Sequence, residues 1–143
     1  MLTGYYENSI DAKGRLIVPQ SFREQLGEEF VLTRSDTKCI RIYSKDEYDK
    51  LYTNIAKAKA EGKPGVQGLL MLFINSAKDA RCDSQGRLQL PPELRIKAGL
   101  EKETVTVGCM DRVEIWDKAE YNKLEEALDM AAVQEAIDYV GAR

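Results

Sequence analysis

A chain of 143 residues is long enough for one compact domain, or for two small halves that share a core. It has no histidine, and its three cysteines, Cys39, Cys82 and Cys109, show no C-x-x-C spacing, which argues against a zinc site or any other metal centre. The net charge of −3 is uneven: residues 114–143 hold eight acids and three bases, whereas residues 1–113 hold sixteen acids and eighteen bases, a balance that permits a nucleic-acid partner.

Met1-Leu2-Thr3-Gly4-Tyr5 lacks the basic start and apolar run of a secretory signal. Thr3 to Ile10 reads as a strand, and Asp11-Ala12-Lys13-Gly14 as a turn in which the aspartate bonds nearby backbone and the glycine takes positive φ. Arg15-Leu16-Ile17-Val18 is a second strand, so the turn is expected at a hairpin tip. Pro19 suits the start of a short helix, Gln20 to Leu26, stopped by Gly27. Two strands follow, Phe30 to Arg34 and Cys39 to Tyr43, joined by the turn-rich Ser35-Asp36-Thr37-Lys38. Ser44-Lys45-Asp46-Glu47 is a capping-box pattern opening a helix to about Ala60, with Tyr48, Leu51, Tyr52 and Ile55 as its packing face.

Glu61-Gly62-Lys63-Pro64-Gly65 breaks that helix, and Val66 to Ile74 is expected to form another. Its apolar run from Leu69 to Ile74 is far below the ~20 residues that cross a bilayer, so the chain is expected to be cytoplasmic. The pattern then starts again: a strand from Ser76 to Cys82, a turn Asp83-Ser84-Gln85-Gly86, a strand from Arg87 to Leu90, and a helix opened by Pro91-Pro92 and stopped near Gly99. Strands at Thr104 to Val107 and Val113 to Trp116 lead to Asp117-Lys118-Ala119-Glu120, which predicts the start of one last helix. Its apolar stripe would hold Tyr121, Leu124, Leu128, Ala131 and Ala132, with an acidic solvated face opposite.

The two turns belong to a repeat. Asp11 and Asp83 each begin D-x-x-G-R-L-x-x-P, 72 residues apart, and Phe22-Arg23 matches Leu94-Arg95 as Ile40-Arg41-Ile42-Tyr43 matches Val113-Glu114-Ile115-Trp116. Such self-similarity predicts two like halves. Segments 1–62 and 76–143 are then the repeats, and 63–75 connects them.

Equivalent places in two exposed turns make Asp11 and Asp83 poor partners for acid-base catalysis, which needs carboxyls in unlike environments. With no phosphate-cradling loop and no nucleophile constellation, no enzyme and no cofactor are expected. Arg15 and Arg87 admit two readings. Each could form a local ion pair with its aspartate, or offer its planar fork to guanine O6 and N7 while Lys13 meets phosphate. Arg23 and Arg95, in the short helices, are placed for stem packing first and phosphate contact second.

The duplicated turn and helix, with Val31-Leu32 beyond the first copy and Asp111-Arg112-Val113-Glu114-Ile115-Trp116 beyond the second, resembles the MraZ family of bacterial regulators over nearly the whole chain. The resemblance implies an α+β fold: a pseudo-dimeric double-split, swapped-hairpin, AbrB-like β-barrel with flanking helices, built by internal duplication. It also implies a ring-shaped homo-oligomer, nucleoid-associated, that represses the division and cell-wall gene cluster by binding short G-rich direct repeats in double-stranded promoter DNA. The family's D-x-x-x-R motif falls on Asp11 to Arg15 and on Asp83 to Arg87. DNA contact is thus expected from Arg15, Arg87, Lys13 and Gln85, on turns shaped by Asp11, Gly14, Asp83 and Gly86. Gln85 stands where the first copy has Lys13, a departure in charge, and Gln89 at a usually apolar position is expected to face solvent. The alternative class is a protein-interaction or antitoxin-like ring module with no DNA target.

Overall fold

The computed structural model describes residues 1–143. Its strands are β1 (Tyr5–Ser9), β2 (Arg15–Ile17), β3 (Phe30–Thr33), β4 (Cys39–Ser44), β5 (Lys78–Ala80), β6 (Arg87–Gln89), β7 (Glu103–Gly108) and β8 (Val113–Asp117). The helices are α1 (Gln20–Leu26), α2 (Lys45–Ala60), α3 (Val66–Leu69), α4 (Pro92–Lys97), α5 (Lys118–Glu126) and α6 (Met130–Val140); α3 runs on into a π-helical turn, Leu70–Asn75.

Six strands form one antiparallel sheet in the order β1-β7-β8-β4-β3-β5, and β2 pairs with β6 in a separate two-stranded ribbon. Exchanging β1 with β5, β3 with β7 and β4 with β8 turns that order into its own reverse. The hairpin expectation is corrected here. β1 and β2 do not pair with each other but leave the Asp11 turn for different sheets, β1 to β7 and β2 to β6. Alternation along a strand records which face is buried and carries no information about the neighbouring strand.

One core serves both halves. Leu16, Val18, Phe22, Leu26, Phe30, Leu32, Ile40 and Ile42 from the first pack with Leu88, Leu90, Leu94, Val113 and Ile115 from the second. Residues of alternate parity cover the other side of the large sheet, where Cys39, Val105, Val107 and Trp116 cluster under Tyr121 of α5. There Arg41 lies 5.2 Å over the Phe73 ring and Glu114 Oε1 accepts from the Trp116 indole at 3.0 Å. All three thiols are free, and burial pushes each of them up, Cys109 to about 11, so none is a ready nucleophile.

Side-chain caps set the starts of α2 and α6. Ser44 Oγ accepts from the Glu47 amide at 3.2 Å, which sets the start of α2. Asp117 does not cap α5, because its carboxylate accepts instead from the Glu101 amide at 3.1 Å. The single last helix expected from the sequence is two: Asp129 Oδ1 accepts from the amides of Ala131 and Ala132, capping α6 and ending the run of α5. Of the expected stripe only Tyr121 packs against the body, on Trp116 and Tyr5, while Leu124 and Leu128 stay exposed. No helix is long and apolar enough to cross a membrane.

Candidate nucleic-acid interface

Each D-x-x-G-R turn is held by its own aspartate. Asp11 Oδ1 accepts from the amides of Lys13 and Arg15, both at 2.9 Å, and Oδ2 from Arg15 Nε at 2.9 Å. Asp83 does the same with the amides of Gln85 and Arg87, at 2.9 Å, and with Arg87 Nε at 2.7 Å. Gly14 and Gly86 both sit at φ 78°, where a side chain is strained. Each glycine carbonyl then accepts from the far half: Leu90 N–H to Gly14 and Val18 N–H to Gly86, both at 3.0 Å.

Both carboxylates are held below the usual aspartate range, first by the Arg15 or Arg87 amide and then by the guanidinium and the Lys13 or Gln85 amide. A depressed carboxylate contributes stability above its unfolded value of about 3.9 and loses it as pH falls through the lower folded value. The acid limb of the stability curve should therefore fall below about pH 4, and replacing both with asparagine should flatten it, as followed by thermal unfolding across pH 2–7.

The turns deliver their arginines to one place. In the ribbon Arg15 faces Gln89, Leu16 faces Leu88 and Ile17 faces Arg87. The leucines point into the core, so Arg15, Ile17, Arg87 and Gln89 share the outer face. The two arginines are diagonal neighbours there, a spacing of about 7–8 Å between backbones. Their side chains are 23% and 30% exposed, and the aspartates occupy only Nε, so the terminal nitrogens have no protein acceptor. The inner edge of each guanidinium thus pairs with aspartate, as the first reading expects, and its outer edge is open to solvent.

Lys13 and Gln85 are exposed at the turn tips. Arg23 and Arg95 are half-buried and bond backbone, Arg23 Nε to the Val18 carbonyl at 2.9 Å, Arg95 to the carbonyls of Leu100 at 3.3 Å and Glu101 at 2.6 Å. Arg23 also lies over the second turn, so that a Cβ on Gly86 would meet its Cζ at 2.8 Å. Gly14→Ala and Gly86→Ala should each cost about 1–2 kcal/mol from the left-handed backbone alone. In thermal melts that is roughly 3–6 °C, and only Gly86→Ala should also displace Arg23.

Two members of this face were not singled out from the sequence as contacts. Gln89 does reach solvent, but its Nε2 also donates to the Lys13 carbonyl at 2.8 Å, across the ribbon. Ile17, the equivalent residue of β2, is 48% exposed beside Arg87. The signal was the period of two: residues 17 and 89 must share a face with 15 and 87.

A family model described as "MraZ protein, putative antitoxin-like" matches residues 1–64 and 73–139. The chain belongs to the MraZ family. It is 38% identical over 132 residues to a "Transcriptional regulator MraZ" of Acetivibrio thermocellus, covering 92% of both chains. Proteins of the same name from Alkaliphilus oremlandii and Ligilactobacillus salivarius are 39% and 42% identical, over 86% and 82% of this chain and 85% and 82% of theirs. MraZ relatives are thus named as regulators of transcription, a non-enzymatic class, and the α+β fold with a mostly antiparallel sheet is the fold of this member.

Proposed function

We propose that this chain is a sequence-specific transcriptional regulator, acting chiefly as a repressor, that reads double-stranded promoter DNA with the outer face of the β2–β6 ribbon. The observation that carries the reading is the pair of guanidinium groups, each anchored at Nε and free at its outer edge, side by side on that face. A two-stranded ribbon fits the major groove, and an arginine fork meets guanine O6 and N7 there. G-rich direct repeats upstream of the division and cell-wall genes, its own gene included, are the matching target.

The same reading takes residues 1–62 and 76–143 as duplicated AbrB-like units joined by 63–75, with β-strands exchanged between them in a swapped-hairpin barrel. The sheet order, and the matching hydrogen bonds of the two turns, support it. One ribbon offers few positive charges, so a ring of copies along neighbouring repeats would gain its affinity from effective concentration, by about 10²–10⁴-fold. The exposed Leu124, Leu128, Met130, Tyr139 and Val140 of α5, α6 and the link between them supply apolar surface for contacts between copies. That surface also favours the second reading, a protein-binding module of antitoxin type.

The test is a titration of the DNA immediately upstream of its own coding sequence against a scrambled duplex. Tight binding to the first alone supports the regulator, and equal binding to both refutes it. In the same assay Lys13→Ala should weaken binding uniformly across sequences and lower the salt slope by about 1, since an exposed lysine at a turn tip meets phosphate.

A further inference from the structure

The outer face of the ribbon is two-fold symmetric in its arginines and asymmetric in everything around them. The pseudo-dyad passes through the Leu16–Leu88 pair and exchanges Arg15 with Arg87, but it also exchanges Ile17 with Gln89 and, at the turn tips, Lys13 with Gln85. The first turn is braced by Gln89, whose Nε2 donates to the Lys13 carbonyl at 2.8 Å. Nothing braces the Gln85 carbonyl in this way, because Ile17 has no donor to offer. The space over each glycine is filled differently as well. Over Gly14 the nearest atom to a Cβ would be Gln89 Nε2 at 3.2 Å, with Arg95 at 3.8 Å, whereas over Gly86 it is the Arg23 guanidinium at 2.8 Å. The first half therefore presents an ammonium and an exposed isoleucine, and the second presents carboxamides with Arg23 close by.

We propose that this asymmetry gives the interface a polarity: Lys13 and Ile17 on one half, Gln85 and Gln89 on the other, fix the orientation in which the ribbon reads a non-palindromic box. The inference rests on the DNA-binding reading above. Duplex DNA has local two-fold axes of its own, so a ribbon with identical halves would bind a symmetric site equally well either way round. Unlike halves reward unlike half-sites. An isoleucine on a groove-facing ribbon favours apolar contact, such as a thymine methyl, and a glutamine carboxamide pairs with adenine N6 and N7. Gln89 contributes in two ways, since its Nε2 positions the Lys13 turn while its Oε1 is free to accept.

The experiment is an altered-specificity swap. One box, a single repeat unit of the stretch that the protein protects in its own upstream DNA, is made as a duplex, and each half of that box is then inverted and joined to itself, giving two symmetrised duplexes. The native chain should prefer the unsymmetrised duplex to both by about 5- to 150-fold, the discrimination of one lost base contact. Gln85→Lys with Gln89→Ile makes both halves like the first, and should bind one symmetrised duplex better than the native box. Lys13→Gln with Ile17→Gln makes both like the second, keeps the Gln89 brace, and should favour the other. A purely structural role for these residues would lower all affinities together without changing their order. The polarity is overturned if the native chain binds all three duplexes equally, or if both double variants retain the native order. Absence of any preference for the upstream fragment over a scrambled one would instead overturn the DNA-binding reading, and the polarity with it.

Discussion

Replacing Arg15 and Arg87 together by alanine should abolish preferential binding to the upstream DNA while leaving the protein folded. Each bidentate arginine contributes about 1–3 kcal/mol of discrimination against the wrong base, so loss of both should reduce specific affinity by about 10²–10⁴-fold. The fold should survive because the backbone amides of residues 13, 15, 85 and 87 keep their bonds to the two aspartates. The ion pairs themselves are partly open to solvent and screened. Lysine at both positions retains charge without the fork, so it should preserve binding to any duplex and lose the preference for one. Titrations against the upstream and scrambled duplexes, beside far-UV circular dichroism of each variant, check all three outcomes. Unchanged affinity in the alanine pair would remove this ribbon as the interface.

The largest effect on stability is expected at Phe22. It is fully buried on α1, meets the Tyr6 ring edge to face at 5.2 Å, and belongs to the core that joins both halves. Phe22→Ala removes an aromatic side chain from a site that cannot collapse, since Leu16, Val18 and Leu26 belong to the same packed cluster and are themselves buried. The expected loss is about 3–5 kcal/mol, or roughly 10–15 °C in the thermal midpoint. Leu128→Ala is the matched comparison. That leucine is half-exposed, and its truncation should change stability by no more than about 0.5 kcal/mol in the isolated chain.

Much of the fold was legible wherever a local signal decides local structure. Pro19 and Gly27 bracket α1 as read, Ser44 caps α2, and the turns at Asp11 and Asp83 place aspartate and glycine as their chemistry requires. What the residues could not announce was who pairs with whom. β2 meets β6 across some 70 residues of chain, and Gln89 finds the Lys13 carbonyl over a similar separation; nothing in either neighbourhood encodes the other. The break between α5 and α6 is a different kind of miss. Asp129 followed by a good helix-forming run is an N-cap signal, but the acidic surroundings and the continuing apolar period made one helix the simpler reading. Asp117 shows the reverse error, a capping residue by sequence whose carboxylate is claimed by a distant amide. For the interface, the arginines stood out by repetition, whereas Ile17 and Gln89 differ between the copies: the comparison marked Gln89 only as facing solvent, which it does, and passed over Ile17.

The crossed strand pairing also governs what happens when the backbone is cut. β1 rests on β7, β2 on β6 and β5 on β3, so each part of the chain completes a sheet begun by the other. The peptide link between them, Glu61 to Gly65, lies wholly at the surface. With β4 on β8 as well, a protease that nicks it should sever the polypeptide without releasing either piece, because the fragments remain clasped through four ladders and a common interior.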